Sequence, residues 1–411
     1  MRGENRPLDI AIVGCGIAGM AAALFLSRAG FRVRLIERFD EPRPIGAGLL
    51  LQPTGLGVLH RLGLRAKIEA TGARIDRLDG RTAPAGKRIL DIAYADLGER
   101  FFGLGIHRAR LFSTLYDAVL ADAIDIRPAT TIVAIEEAAD RRPALVDGVG
   151  RRHGPFDLAI VAAGAQSALR TALGGKRPQP FPYGALWAVL PLAGHRFDAA
   201  ALAQRYVDAR RMVGVMPVGH APDREGSHAT FFWSLRMDGL EAWRKAGLPK
   251  WKAEVAGVWP EAGALIAGID TPEQMQSAFY LHYTARKPVS ARLVLIGDAA
   301  HSTSPQLGQG ANMGLMDAAA LADALTRHAA VEDALSAYAA ARRRHIRFYQ
   351  RASYWLTPLF QSDGRAAAFA RDLALPALSA VPYFRRETAL TLAGLKTGVF
   401  RNIKDSFSGL R

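Results

Sequence analysis

One cysteine, Cys15, in 411 residues excludes an internal disulfide framework and a cysteine-based metal site. It lies between two glycines of a tight turn, where packing is the expected role of a small buried sulfur side chain. Long apolar runs are also missing, and none reaches the roughly 18 to 20 residues that cross a bilayer. Internal repeats and low-complexity linkers are absent, so lobes joined by short connections are expected to pack together. Acidic residues are outnumbered, 38 against 53 Lys and Arg, for a net charge of +15. The basic residues are scattered arginines with short clusters at Arg141-Arg142, Arg151-Arg152 and Arg342-Arg343-Arg344. Neither an aromatic-interleaved basic stripe nor zinc-finger spacing accompanies them, so no nucleic-acid partner is expected. The charge reads as a solvated arginine-rich surface with some attraction for anionic small molecules or lipid headgroups. Met1 to Asp9 is short and polar, without a signal-peptide layout, which together with the single cysteine favours the cytoplasm.

What remains is a globular composition, 50% hydrophobic and 22% charged, on a chain longer than one core usually serves. Two lobes, or one domain with a large insertion, are expected. Asp9 to Val13 is a short apolar run ending at Gly14, Ile17 to Ala29 has helical periodicity closed by Gly30, and Arg32 to Glu37 alternates as a strand does. Within this βαβ unit, Gly14-Cys15-Gly16-Ile17-Ala18-Gly19 fits the G-x-G-x-x-G dinucleotide fingerprint. Gly14 permits the turn, Gly16 lets backbone approach a pyrophosphate, and Gly19 lets the helix close on the strand. Glu37 stands at the distance where an acid meets a ribose hydroxyl.

A second donor-rich turn, Gly297-Asp298-Ala299-Ala300-His301 with Pro305 and Gly308-Gln309-Gly310-Ala311-Asn312, follows the strand-like Arg292 to Ile296 and opens an Ala/Leu-rich helix. Such a helix start holds anionic or electron-accepting ligands. Between them, Phe101 to His107 and Phe156 to Ala163 read as strands and Leu111 to Ala123 as a helix. From about 181 to 284 the pattern is β-like, with strands over Ala185-Leu190, Arg211-Met216 and Ala229-Leu235 and one helical insert near Leu240 to Trp259. After Asn312 the chain reads as helical through Arg351, and Pro358, Pro376 and Pro382 are expected to break up the remainder. No metal-ligand cluster and no Ser/His/Asp nucleophilic set is apparent.

Three segments, the first glycine motif, Asp157 to Arg170, and the Gly297-Asp298 run, together resemble the FAD-dependent single-component aromatic monooxygenases of the p-hydroxybenzoate hydroxylase type. The Gly308-Gln309-Gly310-x-Asn312 stretch is most similar to members acting on phenols, quinone precursors and polycyclic or heteroaromatic metabolites. The resemblance covers about residues 8 to 350. It implies an α/β fold: a discontinuous Rossmann-like FAD lobe (1–75, 100–180, 285–330), an inserted β-sheet substrate lobe (76–99, 181–284) and a helical C-terminal region (331–411).

It further implies that Gly14, Gly16, Ile17, Ala18 and Gly19 hold the ADP half of FAD, with Glu37 and Arg38 at the ribose end. Arg108 reaches the phosphates and Asp298 the ribityl chain. Arg43, Gly46, Ala47 and Gly48 pass beside the flavin ring, Pro305 and Gly308 sit against it, and Gly164 is a further cofactor-binding position. Backbone N–H groups around Gly310, Ala311 and Asn312 face N1 and the C2 carbonyl. Arg43, Gly46, Pro305 and Gly308 are thereby the catalytic candidates. Where the family has Gly-Ala-Asp-Gly, this chain has Val161-Ala162-Ala163-Gly164, and Gln166 replaces a His or Arg. Asp157, Ser167 and Arg170 are kept.

The implied reaction is hydroxylation of an aromatic substrate: NAD(P)H reduces FAD, O2 adds at flavin C4a, and the hydroperoxide delivers oxygen. A reductase or dehydrogenase sharing the FAD frame, and a flavin-bound partner subunit without activity, are the alternatives. Flavin halogenases are disfavoured because no Trp-x-Trp-x-Ile-Pro segment is present. For the substrate pocket, Trp187, Tyr206, Met212, Met216, Phe231, Phe232, Trp233 and Tyr283 are the candidates, and alternation should turn only one of Phe231/Phe232 and one of Val215/Met216 inward. His301 suits a structural hydrogen bond, and Asp317 a pairing role in the core. The apolar-plus-basic tail from Trp355 to Phe400 reads as helices covering the flavin lobe, or else as a pocket lid, a homodimer contact or a peripheral membrane patch.

Overall fold

The computed structural model describes residues 6–42, 47–222 and 224–403. Its first sheet is parallel, in the order Leu293–Leu295, Leu158–Val161, Asp9–Val13, Arg32–Ile36, Asp125–Arg127. The first three of these, Leu293–Leu295, Leu158–Val161 and Asp9–Val13, read as near-continuous apolar runs because helices and loops cover both faces there, as a buried parallel sheet requires. On one face lie the helices Ile17–Arg28, Arg108–Ala121 and Gly310–Arg327, sharing one core with the sheet. The three motif segments of the sequence thus begin on three adjacent strands. Their loops all leave from the same, C-terminal edge of the sheet, where open α/β sheets bind ligands.

A seven-stranded sheet forms the other large unit, in the order Gln276–His282, Gln179–Pro191, His228–Arg236, Arg211–Gly219, Ala201–Val207, Arg77–Thr82, Arg88–Ala93. All its pairings are antiparallel except that of Ala201–Val207 with Arg77–Thr82. One face packs on the helices Leu240–Ala246, Leu248–Val258 and Pro260–Leu265, where Trp251 meets Phe231 and Trp233 edge-on. A three-stranded antiparallel sheet, Gly48–Leu51, Gly103–His107 and Ala73–Ile75, lies between the two units. Gly105 permits this, since a Cβ there would run into the Pro217 carbonyl of the larger sheet.

Beyond the helix Gly310–Arg327 the chain continues as Val331–Phe360, Arg365–Ser379 and Pro382–Leu392, then a hairpin of Lys396–Gly398 with Arg401–Asn402. Two of the three expected proline breaks are corrected: Pro358 and Pro376 lie inside helices. Each sits in or next to the final turn, where the carbonyl it leaves without a donor can turn to solvent, so the helix tolerates it. Pro382 instead opens a helix at its first position, where its missing N–H costs nothing. The tail does not cover the parallel sheet. Its last two helices pack on Arg88–Ala93 and on the 3-10 turn Tyr94–Leu97, beside the seven-stranded sheet. Among the described residues, no helix is long and apolar enough to cross a membrane.

Candidate functional site

The turn after the first strand carries Gly14 at φ +109°, a conformation that L side chains rarely adopt. A Cβ on Gly19 would strike the Gly14 carbonyl, so the helix Ile17–Arg28 can sit this close only with glycine at both places. Gly16 has open space where its Cβ would be, facing a cavity. Glu37 braces the turn: its carboxylate accepts the Cys15 N–H at 2.7 Å and the Arg38 and Phe39 N–H groups at 2.8 and 3.2 Å. Burial, and after it the Glu37 charge, push the Cys15 thiol up to about 12, which leaves it an inert packing group.

Gly16, Ile17 and Ala18 meet the other two motif loops on one continuous cavity of about 1340 Å³. Ala162, Gly164 and Ala165 come from the second loop; Gly297, Asp298, Ser302 to Gly308, Gly310 and Ala311 come from the third; Ala47, Gly48 and Arg108 close the side. Two helices, Ile17–Arg28 and Gly310–Arg327, therefore point their positive N-terminal ends into the same space, beside one guanidinium. Asp298 stands exposed to it, and among the described residues its carboxylate has no hydrogen-bond partner, so it is available to a hydroxyl. A cradle of Cβ-free backbone, two helix N-termini, a cation and a free carboxylate fit the pyrophosphate and polyol of a dinucleotide such as FAD.

The third loop is held from behind. Asn312 is fully buried; its Oδ1 accepts the Gln52 N–H at 2.9 Å, and its Nδ2 donates to the Leu50 and Gly308 carbonyls at 3.1 and 2.7 Å. Its side chain is thus a tie between Gly48–Leu51 and the Gly308 turn, which is itself left-handed at φ +59°. Asp317 is equally buried and takes the Gly297 N–H at 2.9 Å, His301 Nε2 at 2.5 Å and Arg342 Nε at 2.7 Å. Burial alone would raise its carboxyl, but the charges of His301 and Arg342 and their hydrogen bonds hold it below the ordinary range. His301 and Asp317 are therefore found in an internal ion-pair network.

Under the second loop, Arg170 is 1% exposed and donates to the Gly164 and Ala165 carbonyls at 3.3 and 2.5 Å. Its guanidinium lies over the Tyr283 ring at 4.4 Å, so Tyr283 faces Arg170 and is not on the cavity. Among the described residues, Arg170 Nε and Nη1 find no hydrogen-bond partner.

Past Pro305 the cavity is floored by one face of the seven-stranded sheet. Period-two alternation puts Leu202, Gln204 and Tyr206 there from one strand, Met212 and Met216 from the next, and Trp187 and Phe232 from two more. Trp187 and Phe232 lie with ring centroids 5.1 Å apart, and Gly214 leaves room for the Phe232 ring. Phe231 and Trp233 point to the opposite face, into the core with Trp251, so neither is on the cavity. Val215 goes the same way. All four of Phe231, Phe232, Val215 and Met216 are buried because both faces of this sheet are covered.

Arg43 and Gly46 lie outside the described residues. Several lining groups carried no sequence signal of their own. Tyr280 and Gln306 are examples, whereas the tail residues Leu375, Leu378, Tyr383, Phe384 and Phe400 belong to the apolar-plus-basic segment for which a pocket lid was one of the sequence readings. Gln52 was adjacent to a motif, but its bond from Tyr94 OH at 2.5 Å joins segments whose pairing only the fold reveals.

Residues 7–353 match the family model described as FAD binding domain. The chain is 29% identical to the 3-amino-4-hydroxybenzoate 2-monooxygenase of Streptomyces cremeus, over 82% of this chain and 84% of that one. It is 31% identical to the 3-amino-4-hydroxybenzoate 2-monooxygenase PtmB3 of Streptomyces platensis, over 78% and 80%. Among solved structures it is similar to Klebsiella pneumoniae HpxO complexed with FAD and uric acid, with a TM-score of 0.78, 24% identity and coverage of 93% and 97%. At that identity the structural likeness speaks for the fold.

Proposed function

The chain belongs to the FAD-binding family that its residues 7–353 match, and from that premise we propose that it is an FAD-dependent monooxygenase hydroxylating an aromatic small molecule with NAD(P)H and O2. One observation carries the reading: three loops from adjacent parallel strands enclose a glycine-rich cradle that is continuous, past Pro305, with an apolar, aromatic-lined chamber. FAD bound there supplies reduction by the nicotinamide and activation of oxygen, chemistry that no side chain can provide.

The chain's own residues bind, orient and exclude water. Gly16, Ile17 and Ala18 would face the pyrophosphate with Arg108, and Asp298 the ribityl hydroxyls. The helix start at Gly310 and Ala311 would present N–H dipoles to the ring where reduction leaves it negatively charged. Asn312 acts one step back, fixing the Gly308 turn through its three hydrogen bonds. Pro305 and Gly308 line the part of the cavity where they would hold the ring, and Met212, Met216, Trp187 and Phe232 would form the wall that keeps water from the substrate ring.

The test is to purify the full-length protein and follow NADH and NADPH oxidation with a panel of ring compounds, scoring both stimulation and a product heavier by one oxygen atom. Stimulated oxidation with an oxygenated product is expected. Stimulation without such a product would favour a reductase, and inertness to both nucleotides a non-catalytic subunit.

A further inference from the structure

The strand Gly103–His107 runs straight into the helix Arg108–Ala121, and the two residues at the junction take different sides. Arg108 lines the cavity; His107 lies off it, half-buried. Arg108 is exposed and its guanidinium has no hydrogen-bond or ion-pair partner among the described residues, so its reach is set from the backbone end. Three contacts set that end. The Arg108 N–H donates to the Ala47 carbonyl at 2.8 Å, His107 pairs with Gly48 across the small sheet, and His107 Nδ1 accepts the Ala109 N–H at 3.2 Å, capping the first turn of the helix.

An imidazole is an uncommon cap, since Ser, Thr, Asp and Asn are the residues favoured there. The neighbouring Arg108 gives the choice a physical sense. An aspartate would also cap, but its charge would draw the guanidinium back and repel the same phosphates. A neutral imidazole offers a lone pair on Nδ1 and no charge, with its proton on Nε2.

The surroundings keep the ring in that state. Burial first, and then the charges of Arg224, His228 and Arg110, hold its pKa below the ordinary value. Arg110 comes from the same helix, where it donates to the His220 and Ala221 carbonyls at 3.4 and 3.0 Å. Arg224 and His228 come from the seven-stranded sheet and the loop leading into His228–Arg236, and His220 on that loop acts in turn on His228. Among the described residues, no carboxylate is among the charges acting on His107.

We propose that His107 is a positioning residue for the dinucleotide: its unprotonated Nδ1 caps the helix Arg108–Ala121 and so fixes the backbone from which Arg108 reaches the phosphates. Without the cap the first turn frays when FAD is absent, and binding must re-form it, so what the cap contributed is lost from the affinity. This role rests on the FAD site and holds whether or not oxygen is transferred.

The FAD-loaded full-length protein is diluted in steps between pH 8 and pH 5, reading released FAD by the return of its fluorescence, with thermal melting of each variant to confirm folding. The parent is expected to lose about threefold to tenfold in FAD affinity as pH falls below about 6.5, the worth of one cap. His107→Ala should show that loss already at pH 8, and should add none to Arg108→Ala. His107→Asn supplies a cap that does not titrate; it should match the parent at pH 8 and flatten the pH dependence. An Asn variant as weak as the Ala variant would assign the ring to packing and overturn the proposal. Equal losses from His107→Ala with and without Arg108 would overturn the route through that arginine. Affinity that rises on acidification would mean that the protonated ring attracts the phosphates directly, and would overturn the capping role. A parent that retains no FAD at any pH would defeat the FAD reading itself; a parent that retains FAD with none of these dependences defeats only the role of His107.

Discussion

Single residues hold the flavin-side loops in place more than they touch a ligand. Asn312 gives three hydrogen bonds to backbone groups of two segments, with Gly55 lying so close that any Cβ there would collide with Asn312 Oδ1. Asn312→Ala leaves the Gln52 N–H and two carbonyls to find new partners in a dry interior. The expected cost is about 2–4 kcal/mol, with release of flavin at concentrations where the parent stays yellow; urea titration and the absorbance of the eluted protein measure the two effects. Gly19→Ala acts at the other end, since its methyl would push the helix off the Gly14 carbonyl. That variant is expected to fold with lower stability and to elute colourless, and a fully flavinylated Gly19→Ala protein would remove the close-approach argument.

At the scale of elements, alternation in the strand Arg211–Gly219 decides what the chamber is made of. Met212 and Met216 face it, and between them Gly214 leaves the space that the Phe232 ring occupies. Gly214→Ala drives that ring toward the substrate. The expected result is a loss of about 1–3 kcal/mol from overpacking together with weaker binding of a bulky aromatic ligand, checked by thermal melting and by titration. The sequence made much of this legible, because a glycine motif, a strand and a helix start are local patterns with fixed spacing, and so are the strands carrying Trp187, Met216 and Phe232. It could not say which side of Phe231/Phe232 met the cavity, because both sides of the sheet are covered and both residues are apolar. Trp233 was misplaced for that reason, pointing at Trp251 and away from the chamber. Contacts between distant segments, such as Tyr94 with Gln52 or the tail helices with Arg88–Ala93, leave no local periodicity to read.

Across the whole molecule, one buried polar network connects the loop at Gly297 to the turn that follows the helix Pro382–Leu392. Asp317 accepts from Gly297, His301 and Arg342; Arg342 Nη1 in turn reaches His345 Nδ1 at 3.2 Å, and His345 Nε2 donates to the Gly394 carbonyl at 2.8 Å. That geometry requires a neutral His345, with its proton on Nε2, because a proton on Nδ1 would confront the guanidinium. Burial first, and the Arg342 charge second, lower its pKa to about 3. An unfolded imidazole titrates near 6.5, so as pH falls the unfolded chain gains this proton before the folded one does. The contribution is therefore whole above about pH 6.5 and is lost by about 1.4 kcal/mol per pH unit as pH falls toward 3. Asp317, with its carboxyl held down, adds a further loss only below about pH 4, where the unfolded carboxyl protonates. Unfolding free energies from urea titrations between pH 7.5 and 4.5 should show this slope. His345→Gln offers an amide donor and acceptor without a titrating proton; it should lower stability at neutral pH yet reduce the slope by about one proton. An unchanged slope in that variant would mean that the acid sensitivity arises elsewhere in the molecule.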